Sequence, residues 1–403
     1  MKNGRLHLGL IGLDLWLGGA TYVHNLIRAL RRLPDDECPR ITLFCRNRTD
    51  LYEEVVPLVD RLVLYEAWQA DIFKNRALSR VAQVTKSFGT AALFRDAVPE
   101  LSRAAHSAGV DCIFPVCESP TSLPNPIDWI PDIQHCIMPE NFPWFTRQIR
   151  DRRFRSQLNK IGGHTVFSSQ SALEDAVRVY GTPRAETHIL RFVTAPLDSW
   201  YGDPVPVMAR HRVPADFFIV CNQFWIHKDH PTLFRAVAKL AQDGRKIHVV
   251  CTGPITDHHH PVYIASLKSE IRQLDIESQV QLTGALPREE QVALIRASQA
   301  AIQPSRFEGW SSIVEEAKAF GKPVILSDHP VHLEQRAPNF FYFRRGDPVD
   351  CARAIAEFLD RRTTEPFDSK SHDVRMLGFA RTFMEIAHNA VRTRQSPSSV
   401  HAA

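Results

Sequence analysis

The chain has 403 residues, 44% of them hydrophobic and 23% charged, and its formal net charge is +4. This length suits two domains of average size, and the composition is ordinary for a globular protein. So small a charge does not indicate a nucleic-acid partner, and no apolar run approaches the roughly 18 residues of a membrane span. The eight Cys residues are scattered without a C-x-x-C pair, which predicts neither a zinc site nor a disulfide framework and fits a reducing cytoplasm.

The N-terminus has a basic start and a short apolar stretch, as a signal peptide does. His7 and Asp14 interrupt that stretch, and no small-residue cleavage site follows it. We therefore interpret Leu6–Leu13 as the first strand of a cytoplasmic protein.

Apolar strands alternate with amphipathic helices through the first half of the chain. The predicted strands are Leu6–Leu13, Ile41–Arg46, Leu62–Tyr65, Asp111–Val116, His164–Ser168 and Thr187–Phe192, and the predicted helices are Ala20–Leu33, Thr90–Ala108 and Ser171–Tyr180. This alternation indicates a parallel, doubly wound α/β sheet.

Gly18 and Gly19 lie between the first predicted strand and the first predicted helix. Glycines there allow a ligand to approach the backbone closely, although a plain tight turn would use them equally. The G-x-G-x-x-G spacing of a dinucleotide site is missing, which disfavours a nicotinamide cofactor.

Seven prolines fall between Pro115 and Pro143. This density predicts loops around Ile127–Ile133 in place of a helix or a central strand. Asp132 and His135 would lie near the C-terminal end of a strand, where doubly wound sheets bind ligands. A purely structural histidine is the alternative.

Residues Phe145–Lys160 carry six basic side chains against one acid, with aromatic and aliphatic side chains between them. The pattern is compatible with a helix that rests on an anionic membrane surface, which would make a cytoplasmic protein peripheral at the inner face of the membrane. A solvated helix face explains the same pattern.

Four prolines and little periodicity mark residues 193–214 as a domain boundary, and a second alternating series follows. Its predicted strands are Phe217–Cys221, Lys246–Gly253, Gln279–Leu286, Ala300–Ile302, Val324–Leu326 and Phe340–Phe343, and its predicted helices are Pro231–Asp243, Arg288–Ala297, one from about Ile313, and Pro348–Arg361. We predict an N-terminal domain at 1–195, completed by a helix that crosses back at 373–392, a second domain at 196–372 and a tail at 393–403.

Two loops of the second domain carry chemistry-bearing side chains. Lys228 lies in the strand-to-helix loop 222–230, where a lysine can neutralise a diphosphate; an exposed lysine without a ligand is the alternative. The run Asp257–His260 resembles a metal cluster but has no further ligand at helical spacing, so we predict no metal there.

The stretch 303–328 has the most informative spacing. Glu308 lies in a loop after a buried strand, and Glu316 lies one turn into a helix that a capping box from Ser312 to Glu315 should begin. The first N–H groups of that helix suit a phosphate, and carboxylates on either side suit the hydroxyls of a sugar and a ribose. A surface loop with solvated carboxylates is the alternative.

These residues also carry a family resemblance. P-S-x-x-E-G at 304–309, the second Glu and the following A-x-x-x-G-K-P-V-I resemble retaining family-4 glycosyltransferases of the GT-B fold. P-D-x-Q-H-x-x-x-P-E-x-F at 131–142, N-Q-F-W-I-H-K at 222–228 and G-A-L-P at 284–287 are similar to further motifs of that family. The resemblance implies two Rossmann-like, doubly wound domains with a deep interdomain cleft.

The resemblance also implies roles for individual residues. Glu308 and the amides after it would hold the donor sugar, Glu316 the ribose and Lys228 the diphosphate, with Asn222 or Gln223 where an Arg is usual. The implied catalytic residues are His135, Lys228 and Glu308, and the implied donor-binding residues are Gly18, Gly19, Asn222, Gln223, Lys228, Gly284, Leu286, Glu308, Gly309, Trp310, Ser311, Ser312, Ile313 and Glu316.

We therefore predict a retaining transferase that needs neither metal nor cofactor. It would move a sugar from a nucleotide-sugar donor to a saccharide or lipid-linked acceptor in surface polysaccharide synthesis, with no nucleic-acid partner. A GT-B hexosamine epimerase, a Rossmann oxidoreductase and an inactive sugar-binding scaffold are the alternatives.

Overall fold

The computed structural model describes residues 5–13, 17–46, 52–65, 98–117, 122–257, 260, 262–361 and 369–395. The chain divides into two compact units, residues 1–193 with 373–403 and residues 194–372. Among the helices in these ranges, none has both the length and the apolar character needed to cross a membrane.

The first unit is built on seven parallel strands in the order β3-β2-β1-β4-β5-β6-β7. The strands are β1 His7–Ile11, β2 Arg40–Cys45, β3 Arg61–Leu64, β4 Cys112–Val116, β5 Pro126–Ile130, β6 His164–Phe167 and β7 Glu186–Ile189. The helices are α1 Leu17–Leu30, α2 Val98–Ala108, α3 Gln134–Ile137, α4 Trp144–Leu158 and α5 Gln170–Tyr180, with most of α13 Ser369–Gln395. Strands such as β1 and β4 are buried along their whole length, as parallel strands covered on both faces are.

The prediction that the proline-rich segment holds no central strand is wrong. β5 pairs with β4 on one side and with β6 on the other. Pro126 is the first residue of β5, where a missing N–H is tolerated, and Pro131 follows the last. The proline positions therefore flank the strand and do not interrupt it.

Aromatic packing ties α13 to the first unit. The ring of Phe379 packs edge-on against Tyr22 with centroids 6.2 Å apart, and Phe383 lies 5.0 Å from Phe114. All four side chains are buried, so the C-terminal helix contributes directly to the core of this unit. Residues 90–97 of the helix predicted at 90–108 lie outside the described residues.

The second unit is built on six parallel strands in the order β10-β9-β8-β11-β12-β13. The strands are β8 Phe218–Cys221, β9 Val249–Thr252, β10 Val280–Gly284, β11 Ala301–Gln303, β12 Val324–Ser327 and β13 Phe340–Phe343. The helices are α6 Val205–His211, α7 His230–Gln242, α8 Tyr263–Gln273, α9 Arg288–Ala297, α10 Ser312–Ala319, α11 Pro330–Glu334 and α12 Pro348–Arg361. Apolar side chains fill both faces of this sheet in two buried clusters, which is the doubly wound arrangement.

Three helices of this unit differ from the sequence prediction. α6 lies inside the segment predicted to be an irregular boundary, and Pro206 lies in its first turn, where a missing N–H leaves no helical bond unmade. α8 and α11 are helices where none is predicted. In the first unit, α1 begins at Leu17 and not at Ala20, so Gly18 and Gly19 lie in its first turn.

Candidate active site

The candidate site lies where the strand order of the second sheet reverses. β8 and β11 are neighbours in the sheet although three helices and two strands separate them along the chain. The connections that leave these two strands run in opposite directions, which opens a crevice at the carboxyl ends where doubly wound sheets bind ligands. The loops that begin at Asn222 and Pro304 both start at this point.

Glu308 is the centre of a buried polar network in these loops. Its Oε1 accepts hydrogen bonds from Lys228 Nζ at 2.7 Å and from Gln303 Nε2 at 2.6 Å. Gln303 in turn accepts a hydrogen bond from Asn222 Nδ2 at 2.9 Å. The side chains of Glu308 and Lys228 are 8% and 14% exposed, so this ion pair is largely out of water. Glu308 is therefore not the solvated surface carboxylate of the alternative interpretation.

The charge state of Glu308 follows from this environment. Burial alone would raise its pKa, but the Lys228 ammonium and the nearby His332 outweigh burial and lower the pKa to about 2. Burial and the Lys228 charge together lower the pKa of His227 to about 3. The site at neutral pH therefore holds a fixed carboxylate and ammonium beside an uncharged imidazole.

The helix after Glu308 begins close to its predicted start, but not by the predicted capping box. α10 starts at Ser312 with Ser311 as its N-cap, and no side chain caps it. The Glu315 carboxylate contacts Lys318 Nζ and Gln335 Nε2, both at 3.1 Å. Gln335 also accepts from the Ser311 N–H at 3.1 Å and donates to its carbonyl at 2.9 Å. A side chain from beyond the next strand thus fixes the start of α10.

The backbone at the start of α10 offers donors to an anion. The first intrahelical bond near this end runs from the Glu315 N–H to the Ser311 carbonyl at 3.3 Å. The N–H groups of Ser312 and Ile313 come before that bond and so have no intrahelical acceptor. Gly309 and Trp310, which precede the helix, are half-buried.

The second predicted carboxylate is also paired with a cation. Glu316 is 4% exposed, and its Oε1 lies 2.7 Å from Arg288 Nη2. The Arg288 guanidinium stacks over the ring of Trp200, 4.9 Å from its centroid. Since Arg288 begins α9 directly after the loop 284–287, this pair links that loop to α10.

A glycine sets how closely two loops of the site approach. Gly253 follows β9 with φ of 134°, and a Cβ there would lie 2.1 Å from the carbonyl oxygen of Asn222. Its N–H donates to the Gly284 carbonyl at 2.9 Å, and Leu286 packs on the apolar cluster below. Three strand-end loops therefore meet at Gly253.

The predicted site residues of the first unit are Gly18 and Gly19 on one helix and His135 on another. Gly18 is exposed and Gly19 is buried, both in the first turn of α1. His135 is buried on α3, and its Nε2 lies 3.2 Å from Asp151 Oδ1 and 3.1 Å from the Tyr180 hydroxyl. Burial, followed by the Arg150 charge, lowers its pKa to about 4, so the ring is neutral. Its contact with a transferred sugar stays a prediction.

Comparisons with known proteins bear on both units. Residues 210–372 match the model of the family described as glycosyl transferases group 1. The second unit carries a glycosyl transferases group 1 domain. Comparison with curated proteins gives no match.

The whole chain is similar in fold to solved glycosyltransferase structures. A glycosyltransferase from Rickettsia africae is 15% identical with a TM-score of 0.63, covering 98% of this chain and 97% of its own. Sucrose-phosphate synthase from Thermosynechococcus elongatus is 14% identical with a TM-score of 0.63, and HepE from Anabaena, solved with UDP and glucose, is 14% identical with a TM-score of 0.60; each comparison covers 97% of this chain and 98% of the other. The predicted fold, GT-B with two Rossmann-like domains, is confirmed.

The group 1 domain contains site residues that the sequence analysis missed. Gln303 joins Asn222 to Glu308, Arg288 pairs with Glu316, and Gln335 holds the start of α10. A polar residue at the carboxyl end of a buried strand was the available signal for Gln303. Gln335 carries no comparable signal, because only the folded chain brings it to Ser311.

Two further predictions can be located. In the run 257–260, Asp257 Oδ1 accepts a hydrogen bond from the His260 N–H at 3.1 Å, whereas His258 and His259 lie outside the described residues.

The basic segment forms α4, where Trp144 and Phe145 are 66% and 45% exposed. Three of its arginines stack on rings, Arg150 on Phe142, Arg153 on Phe154 and Arg155 on Tyr180.

Proposed function

We propose that this protein is a retaining glycosyltransferase that moves a sugar from a nucleotide-sugar donor to a hydroxyl of a saccharide or lipid-linked acceptor. The observation that carries the proposal is the pairing of two buried carboxylates, Glu308 and Glu316, with two cations, Lys228 and Arg288, around the start of α10. HepE, similar in fold, has been solved with UDP-glucose, which makes uridine diphosphate sugars the first donors to test.

We assign the donor groups to this frame by their chemistry. The diphosphate would lie against the N-terminus of α10 and the Lys228 ammonium, both of which favour negative charge. The ribose hydroxyls would donate to Glu316 and the sugar hydroxyls to Glu308. Asn222 is committed to Gln303 at 2.9 Å, so half-buried Gln223 is the better candidate for the position where an Arg is usual.

In the proposed reaction the bond between the sugar C1 and the diphosphate oxygen breaks while a bond from C1 to the acceptor oxygen forms on the same face. The proton of the acceptor hydroxyl passes to the departing phosphate oxygen, so no metal and no enzyme nucleophile is required. The protein contributes positioning and stabilises the charge that develops on the diphosphate.

Thermal unfolding with a panel of nucleotide sugars tests the proposal. A donor that binds the folded chain raises the melting temperature by mass action. Mixing that donor with candidate saccharide and lipid-linked acceptors should then yield a glycosylated product and free nucleoside diphosphate. Epimerised sugar without transfer would favour the hexosamine epimerase, and donor binding without any turnover would favour the inactive scaffold.

Changing Lys228 to Met is expected to weaken nucleoside diphosphate binding by about 10- to 150-fold and to leave nucleoside binding unchanged. The reason is the loss of a charge-assisted contact to phosphate, worth about 1.5–3 kcal/mol. Calorimetry with both ligands measures the difference. Lys246→Met is the matched control, since Lys246 is exposed and precedes β9. Equal losses for both ligands would contradict the phosphate assignment.

Changing Glu316 to Gln is expected to weaken binding of both the nucleoside and its diphosphate by about 10- to 150-fold, because a ribose hydroxyl loses a charged acceptor. Glu315→Gln is the matched control: Glu315 is buried in the same helix but contacts Lys318 and Gln335 instead. The ribose assignment fails if calorimetry shows that Glu316→Gln binds both ligands as the wild type does.

The proposed acceptor side rests on the family resemblance and on α4. Trp144 and Phe145 are exposed apolar side chains beside arginines, a combination that suits the interface of an anionic membrane. A lipid-linked acceptor in surface polysaccharide synthesis would place the protein there. The peripheral membrane contact stays a prediction.

A further inference from the structure

Arg288 is the first residue of α9, a position that disfavours a cation. The N-terminus of a helix carries a partial positive charge, so acidic side chains are favoured in its first turn. Glu289 and Glu290, the next two residues of α9, follow this preference. The stability of α9 therefore does not explain an arginine at this position.

Three neighbours in the second unit hold the Arg288 side chain. Its Nη2 lies 2.7 Å from Glu316 Oε1, and its Nη1 donates to Gln291 Oε1 at 2.9 Å. The face of the guanidinium covers the buried ring of Trp200, with Cζ 4.9 Å from the ring centroid. Both Nη groups and one face of the guanidinium are therefore engaged within the protein.

Gln291 connects Arg288 to the end of a strand. A guanidinium only donates hydrogen bonds, so the Gln291 carbonyl oxygen faces Arg288 and its amide nitrogen is left for another partner. This nitrogen, Nε2, donates to Thr252 Oγ1 at 3.1 Å. Thr252 is buried and is the last residue of β9. The position of Arg288 is therefore fixed from the carboxyl end of the sheet, where the candidate site lies.

The Glu316 carboxylate depends on this arrangement. Its side chain is 4% exposed, and burying a carboxylate without a cation or hydrogen-bond donors is costly. Arg288 supplies the cation. An ionised carboxylate has about four lone-pair sites on its two oxygens, so the contact at Oε1 leaves capacity for further donors. The side that Arg288 occupies sets the direction in which this capacity points.

We propose that Arg288 is a positioning residue of the nucleotide site, which fixes the direction in which the Glu316 carboxylate meets the ribose hydroxyls. This inference rests on the proposed function, in which Glu316 accepts hydrogen bonds from the ribose. Because both of its Nη groups are engaged, Arg288 acts through Glu316 and not by direct contact with the ribose or the diphosphate. Trp200 and Gln291 contribute by directing the guanidinium.

A lysine cannot replace Arg288 in this role. A planar guanidinium can stack on an aromatic ring and make contacts in its own plane at the same time, whereas an ammonium is a point charge on a flexible stem. Arg288→Lys therefore keeps a positive charge near Glu316 but loses the combined contacts with Trp200 and Gln291. This variant separates the direction of the carboxylate from its charge balance, without leaving Glu316 buried beside no cation.

Calorimetry with UDP and 2′,3′-dideoxyuridine diphosphate, which lacks both ribose hydroxyls, tests the proposal; the corresponding adenine and guanine pairs are further probes. The ratio of the two dissociation constants measures the contribution of the ribose hydroxyls, and in the wild type it should be about tenfold or more. In Arg288→Lys this ratio should fall about threefold or more, while affinity for the dideoxy analogue stays within about twofold of the wild-type value. Arg235→Lys is the matched control, since Arg235 Nε lies 2.7 Å from Glu270 Oε1 in an ion pair whose arginine is 55% exposed, and it should keep the wild-type ratio.

The double variant Arg288→Met/Glu316→Gln shows whether Arg288 acts through Glu316. Both charges are removed together, so no buried charge is left unpaired. Because residues that act as a unit are not additive, the double variant should have the same ratio of dissociation constants as Glu316→Gln alone. A lower ratio in the double variant would mean that Arg288 contacts the ribose directly, and would overturn the proposal.

The remaining outcomes separate this inference from the proposed function. A loss of affinity for the dideoxy analogue in Arg288→Lys would assign Arg288 to the diphosphate and overturn the positioning role. A clear wild-type ratio that Arg288→Lys retains would overturn this inference alone. A wild-type ratio near one would overturn the ribose assignment together with this inference, and a wild type that binds none of these nucleotides would overturn the proposed function as well.

Discussion

Glu308→Gln is expected to lower the turnover of sugar transfer by about 10- to 150-fold while nucleoside diphosphate binding stays near the wild-type value. A neutral amide keeps the shape of the side chain but removes the charged acceptor that we propose for the sugar hydroxyls, a loss of about 1.5–3 kcal/mol. Initial rates at saturating donor and calorimetry with the diphosphate measure the two quantities.

The ion pair with Lys228 supplies a control for folding. In Glu308→Gln the Lys228 ammonium, 14% exposed, loses its carboxylate, so the variant should be less stable. The double variant Lys228→Met/Glu308→Gln removes both charges and should recover stability but not turnover. Recovery of turnover in the double variant would mean that Glu308 acts through folding and not on the donor.

Acid is expected to unfold the group 1 domain well above the pH at which carboxylates titrate. Burial is the main cause that lowers the pKa of His227, His230 and His329 to about 3 and that of His332 to about 4. The folded chain therefore binds fewer protons than the unfolded chain, whose histidines titrate near pH 6.5. Each of these histidines should remove about 1.4 kcal/mol of stability per pH unit as the pH falls below 6.5.

Glu308 adds to this loss at lower pH. Its folded-state pKa is lowered to about 2, so its contribution to stability is present above the unfolded value and is lost as the pH falls from about 4.5 towards 2. Urea unfolding at pH 7.5, 6.5 and 5.5 therefore isolates the histidine effect before Glu308 titrates.

His230 offers the sharpest variant for this experiment. Its ring is buried, stacks on Phe224 with centroids 4.4 Å apart, and neither ring nitrogen has a hydrogen-bond partner among the described residues. His230→Phe should therefore reduce the pH slope by about 1.4 kcal/mol per pH unit. His388→Phe, at an exposed position of α13, should leave the slope unchanged. An unchanged slope in His230→Phe would rule out a neutral buried imidazole.

Periodicity and end signals were sufficient for much of the fold. The helices predicted at Arg288–Ala297 and Pro348–Arg361 and the strand at Phe340–Phe343 have the observed bounds. β5 was missed because proline counts ignore position: Pro126 begins the strand and does not interrupt it. α6 was missed for the same reason, with Pro206 in its first turn.

The candidate site was predicted in part. The order of strands and helices brings the loops after β8 and β11 together. The sequence could therefore predict that Lys228 and Glu308 lie close to each other. The pairing of Glu316 with Arg288 and the bonds of Gln335 to Ser311 depend on side-chain directions that periodicity does not encode. The predicted capping box does not form, because the Glu315 carboxylate accepts hydrogen bonds from Gln335 and Lys318 instead.

Gly253 has a consequence for loop grafting in protein engineering. The carbonyl oxygen of Asn222 occupies the space that any other side chain at 253 would need, 2.1 Å from its Cβ. A transplanted β8–α7 loop can keep its shape here only if the recipient has glycine at this position of the β9 loop. Segments 222–228 and Gly253 should therefore be transplanted together.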